Sequence, residues 1–123
     1  MKPLISRESE ARYSTGLREF LKYRQLDLAE ATGGVVGGRI IKAAGKMSDY
    51  RGTGKHRHDL GLQFVYVVRG WVEFEFDSGI ERLERGDFMI IPPNLPHEQV
   101  GYADNVELFE VTAPAEFPTV DVP

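Results

Sequence analysis

QFVYVVRGWVEFEFDSGIERLERGDFMII, residues 63–91, is the stretch on which the fold turns. Residues 63–68 form a short apolar run, and Arg69-Gly70 reads as a tight turn. Residues 71–76 then alternate strictly, with Val72, Phe74 and Phe76 on one face and Trp71, Glu73 and Glu75 on the other. Successive strand side chains point to opposite faces, so this pattern marks an antiparallel strand with one face buried. Asp77-Ser78-Gly79 turns the chain, 80–83 is a further strand, and Arg85-Gly86-Asp87 turns it again. Residues 88–91 make the next strand, which Pro92-Pro93-Asn94 stops. Residues 106–111 alternate once more before Pro114 and Pro118 mark a loose tail. Short strands at about ten-residue spacing with turn residues between them imply an all-β sandwich or closed barrel. Val72, Phe74, Phe76, Phe88 and Ile90 are expected to pack or line its interior.

Upstream the pattern is weaker. Residues 1–16, which include Pro3, Ser6, Ser9, Ser14 and Gly16, read as an irregular arm. Leu17, Phe20, Leu21, Tyr23 and Leu28 follow a helical stripe only in part, and the alternation over 20–25 is loose. We read a strand over 20–25 and a helical turn near 28–31 that Gly33 and Gly34 end. Residues 35–45 read as a strand in which Gly37 and Gly38 mark a bulge or corner. Residues 46–54 form a connecting loop. The chain divides into an arm (1–16), a β-barrel domain (17–113) and a tail (114–123).

With 123 residues the chain makes one domain, large enough to bury a core without staples. It has no cysteine, so disulfides and thiolate chemistry are excluded, and any metal must be held by nitrogen and oxygen. A net charge of −4 and a pI near 5.4 argue against a nucleic-acid partner. The amino terminus has no apolar run of signal-peptide type, and nothing approaches the ~20 apolar residues of a membrane helix. The cytoplasm is the expected compartment.

All three histidines stand where one site can use them. His56 and His58 are one residue apart, so in a strand they share a face, about 6.6 Å from one another along it. Both rings can lean toward one ion at bond lengths of about 2.0–2.1 Å. Gln63, which opens the next strand, is a further possible ligand, and His97 follows a strand able to lie across the same barrel. No serine has a histidine left to activate it. The glycines at 33, 34, 37 and 38 form no phosphate loop, since Lys42 is not followed by Ser or Thr. Glu73 and Glu75 fall on the polar face and are read as solvated. Arg39 and Lys42 are read as surface cations, and Tyr50 and Tyr66 as anchors of their own segments.

These residues resemble the two motifs of the cupin superfamily. Gly54, His56-Arg57-His58, four residues, Gln63, six residues and Gly70 resemble the first motif, which carries Glu at the position of Gln63. Gly86, five residues, Pro92, Asn94, two residues and His97 resemble the second, with Asn94 in place of its second glycine and Gly101 in place of its final Asn. Asn tolerates the left-handed turn that Gly supplies.

The resemblance implies a single-domain cupin-type jelly-roll β-barrel of the RmlC-like kind, with at most a short N-terminal helical turn. It implies His56, His58, His97 and Gln63 as ligands of one divalent transition metal ion (Zn, Ni, Fe or Mn). Gln63 would leave the ion its full charge, or would instead orient bound water from a second layer. The implied function is a metal-dependent enzyme on a small molecule, with dioxygenase-type oxidation favoured and isomerase or lyase chemistry next. The alternatives are a non-catalytic metal or ligand binding or sensing module, and a metal-free sugar-type isomerase barrel. Resemblance also implies a homodimer through the N-terminal strands, and neither a nucleic-acid nor a membrane partner.

Overall fold

A computed structural model of the chain describes residues 2–15, 20–44, 52 and 54–123. Leu17, Tyr50 and most of the expected 46–54 loop lie outside the described residues. The fold is built almost wholly of strands. They are β1 (Ser14–Thr15), β2 (Leu21–Gln25), β3 (Gly37–Ala43), β4 (His56–His58), β5 (Leu62–Arg69) and β6 (Trp71–Phe76). There follow β7 (Gly79–Glu84), β8 (Phe88–Ile90), β9 (Glu98–Tyr102), β10 (Glu107–Ala113) and β11 (Thr119–Asp121). One short helix, α1 (Leu28–Thr32), links β2 to β3, and Gly33 ends it in the left-handed conformation at φ 63°. The strand at 20–25 and the helical turn near 28–31 stand where the sequence puts them.

One sheet runs in the order β1-β2-β3-β10-β5-β8, a second is β7-β6-β9, and β11 pairs with β4. The core lies between the layers. Leu21, Ile41, Val65, Val67 and Leu108 come from the large sheet, and Val72, Phe74, Leu83 and Tyr102 from the facing one. Burial of each such side chain is worth about 1.5–3 kcal/mol, which makes this cluster the main support of the fold.

Four expectations are revised. Phe88 and Ile90 do not pack inside: they are 62% and 53% exposed. β8 pairs with β5 in the register Val65↔Met89, and Val65 points inward, so Met89 turns in and its neighbours turn out. Gly37 and Gly38 are not a bulge; both pair regularly with β10, and the register shifts fall at Glu107/Leu108 and Glu73/Phe74. Gly38 is needed for a different reason: a Cβ there would collide with the Leu28 side chain, which packs α1 onto the sheet. Residues read as a loose tail contain β11. The arm is tied down too, because β1 pairs with β2 and Arg24 donates to the Ser6 carbonyl and hydroxyl at 3.0 Å.

Three neighbouring strands of the large sheet change character at the same height. Ile41, Leu108 and Val67 form one inward row across β3, β10 and β5. The next row is Arg39, Glu110 and Val65, and the one after it Gly37, Thr112 and Gln63. The barrel is thus dry at one end and polar at the other. That polar end is where the histidines face in.

Candidate metal centre

β4 places His56 and His58 on one face, as a two-residue spacing in a strand requires. His97 is brought to them by the backbone. It forms an antiparallel bridge with His56, whose N–H donates to the His97 carbonyl at 3.0 Å, and the return bond is 2.9 Å. The three ring centroids lie 4.5–5.1 Å apart. The candidate ligand nitrogens all fall within 4.8 Å of one another.

The loop that delivers His97 is pinned to β4. Asn94 has φ 62°, the left-handed turn expected of the residue standing in the glycine position. Its N–H donates to the His58 carbonyl at 2.8 Å. Its side-chain oxygen accepts from Arg57 at 2.6 Å, and its amide donates to Asp59 at 3.3 Å. A glycine could make the turn but not the two side-chain bonds.

Partner chemistry fixes which nitrogens are available. The Nδ1 atoms of His56 and His97 face the Gly54 and Leu95 carbonyls at 2.6 and 2.9 Å. A carbonyl only accepts, so both Nδ1 atoms carry the proton and each Nε2 keeps its lone pair. His58 Nδ1 lies 2.9 Å from the Thr119 hydroxyl on β11, which leaves Nε2 as its open nitrogen as well. Phe117 sets its ring edge-on to His58 at 5.1 Å. Burial, and then the His56 and His97 imidazoles, push His58 down to about 4. Burial also lowers His97, with His56 acting in the same direction and the Leu95 carbonyl against it. Two of the rings are therefore held neutral, the form in which imidazole ligates a metal. Donor type, tautomer and spacing together make this a cluster that can hold a metal ion.

The histidines open onto a cavity of about 560 Å³ that Gln63, Arg39, Glu110 and Phe117 also line. Gln63 is buried and donates to Glu110 at 3.2 Å, while Arg39 Nε donates to the other Glu110 oxygen at 2.7 Å. Arg39, though partly exposed, is thus an ion-paired residue of the cavity wall and not a freely solvated cation. Lys42 stays outside, paired with Glu8 and Glu107 on the outer face of the sheet. Tyr66 points outward beside Phe88 and takes no part in the site. Glu75 is solvated, and Glu73 is half-buried away from the histidines. Glu110 escaped the sequence reading although a signal was present: it shares the face of Val106 and Leu108, an acid on an otherwise apolar row. Thr119 and Phe117 carried no signal at all, because their role depends on β11 folding back against β4.

Residues 49–106 match the family model of the cupin domain. Solved structures share the fold. The polyketide cyclase RemF from Streptomyces resistomycificus superposes with a TM-score of 0.78 at 20% identity, covering 100% of this chain and 86% of RemF. An RmlC-like cupin from Shewanella frigidimarina gives 0.63 at 18%, covering 94% of each chain. The oxalate decarboxylase OxdC of Bacillus subtilis, as a mutant, gives 0.69 at 15%, covering 93% of this chain and 31% of its own. At such identities the likeness concerns the fold. No functionally curated protein matches by sequence. Residues 49–106 are a cupin domain by that match, the fold is the cupin jelly roll, and the barrel carries a three-histidine cluster that could hold a metal. Among the described residues no helix is long and apolar enough to cross a membrane.

Proposed function

We propose that this cupin is a metal-dependent enzyme that acts on a small molecule. His56, His58 and His97 hold one divalent ion (Zn, Ni, Fe or Mn), and Gln63 is the fourth donor. The observation that carries the reading is the arrangement of the rings: Nδ1 of each has a local partner, Nε2 is left open, and the candidate ligand nitrogens lie within 4.8 Å of one another. When bound, the ion supplies a Lewis acid with coordination positions open to substrate. The chain supplies the rest. Phe117, Val65 and Leu108 line the cavity with apolar surface, and Arg39, paired with Glu110, stands at its wall. Glu110 is a buried carboxylate facing the same space, which favours an enzyme over a passive binder.

Dioxygenase-type oxidation is the activity to test first, with isomerase and lyase chemistry next. The test is oxygen uptake by protein loaded anaerobically with Fe(II), run against a panel of small enols and carboxylates, with His58→Ala as control. Histidine-dependent turnover supports the reading. A bound ion and displaceable ligands without turnover under any of the four metals would instead support the binding or sensing module. We place the protein in the cytoplasm as a homodimer. The resemblance puts the dimer seam at the N-terminal strands, and a second surface that supports association is the outward apolar patch on β5 and β8, where Phe64 stacks on Phe88 at 5.5 Å beside exposed Tyr66 and Ile90.

A further inference from the structure

The glutamate of the cupin motif is a glutamine amide in this chain, and a buried carboxylate stands directly behind that amide. Glu110 lies diagonal to Gln63 on the inward face, since β10 and β5 pair Thr112 with Gln63 and Glu110 with Val65. Arg39 is directly opposite Glu110 on the other side. The ladders fix the backbone positions from which Arg39, Glu110 and Gln63 meet. Its two oxygens take Arg39 Nε at 2.7 Å and Gln63 Nε2 at 3.2 Å. Arg39 in turn rests over the Tyr23 ring at 4.5 Å. A carboxylate only accepts, so the end of Gln63 turned toward it must be the NH2. The carbonyl oxygen is then the end left for the cavity that the histidines share.

We propose that Glu110 is a positioning residue: it orients the Gln63 amide with its oxygen toward the His56–His58–His97 cluster. It acts through its hydrogen bond to that amide and not through net charge, because its carboxylate is already paired with Arg39. An amide thus stands between the carboxylate and the histidines, and the hydrogen bond relays orientation from one to the other. The inference rests on the metal reading above.

The relay has a direction, and that makes it testable by exchange. Gln63→Glu alone sets two carboxylates in contact. Glu110→Gln alone leaves an amide that can present either end to Gln63. The Gln63→Glu/Glu110→Gln double variant rebuilds one donor and one acceptor in the opposite sense and still offers Arg39 an oxygen. Co²⁺ titration of the metal-free protein, followed by the d–d absorption band and by calorimetry, reads both affinity and ligand field. Glu110→Gln is expected to weaken Co²⁺ binding about 10–100-fold and to alter the band, as loss of a ligand's hydrogen-bond partner does. The double variant is expected to bind at least as tightly as the natural protein.

Glu110→Gln binding within about twofold of the natural protein with an unchanged band, or single effects that simply add in the double variant, would overturn the proposal. If melting of the metal-free protein shows that Glu110→Gln does not fold, the double variant is compared with Gln63→Glu. Tighter binding by the double variant then supports the relay, and equal binding overturns it. A natural protein that takes up no Co²⁺, or a His58→Ala variant that binds it equally, removes the metal reading itself. That is a different result from any of these.

Discussion

His56 and His97 stand directly opposite one another and exchange both backbone hydrogen bonds, at 3.0 and 2.9 Å, with their ring centroids 4.5 Å apart. Forty residues of chain lie between them, and the bridge is the point at which the two sequence motifs meet. Because main-chain bonds hold it, the pair exists before any ion arrives. A preformed site loses little ordering entropy on binding, so metal affinity should depend chiefly on the rings themselves.

Purified protein should accordingly carry close to one divalent ion per chain, measured by mass spectrometry of the metal content. His58→Ala and His97→Ala should each lose most of it, without loss of the β-sheet signal in circular dichroism. Equal metal content in either variant would show that the ion sits elsewhere.

The pH response follows from the two lowered histidines. In the unfolded chain each takes up a proton near pH 6.5. In the folded, metal-free protein His58 resists until about pH 4, and His97 is also shifted down. Between those limits the unfolded state binds more protons, so stability is full above about 6.5 and falls as pH drops toward 4. Melting temperature of the metal-free protein should fall across this window, and His58→Gln should flatten the fall. The same shift places protonation of His58 near 4 rather than at the ordinary histidine value near 6.5, so that ring should continue to hold metal below pH 6. A melting temperature independent of pH over this range would contradict the burial of these rings.

Asn94 separates turn geometry from pinning. Asn94→Gly keeps the left-handed backbone but loses the bonds to Arg57 and Asp59, so the fold should survive while metal affinity drops as His97 loosens. Asn94→Val adds the cost of a β-branched residue at positive φ, about 1–2 kcal/mol or more. Paired melting curves and Co²⁺ titrations of the two variants check this. Identical metal binding by Asn94→Gly and the natural protein would mean the side chain does not position His97.

The outer patch predicts association. Phe88→Lys changes a side chain that is 62% exposed and outside the core cluster, so folding stability should fall by no more than its stacking on Phe64 is worth, about 0.5–1.5 kcal/mol. Light scattering should show a dimer for the natural protein and a monomer for the variant. A natural protein that is monomeric at high concentration would end the dimer reading.

Much of this was legible in the chain itself. Alternation over 71–76 and the punctuation by Gly70, Gly79 and Gly86 suffice for an all-β fold, because period two and turn chemistry are local properties. The spacing of His56, His58 and His97 suffices to nominate the site. What local pattern does not carry is the phase of a short edge strand. Residues 88–91 read equally well with Phe88 and Ile90 inward, and only the register against β5 turns them out.

The sequence by itself determined the strands, the turns and the three imidazoles, since each depends on neighbours a few residues away. Tertiary structure alone decided that Glu110 and Arg39 stand behind Gln63, and that Thr119 reaches His58 from the far end of the chain. Those contacts arise from strand pairing across 47 to 71 residues of chain, where no periodicity links one partner to the other.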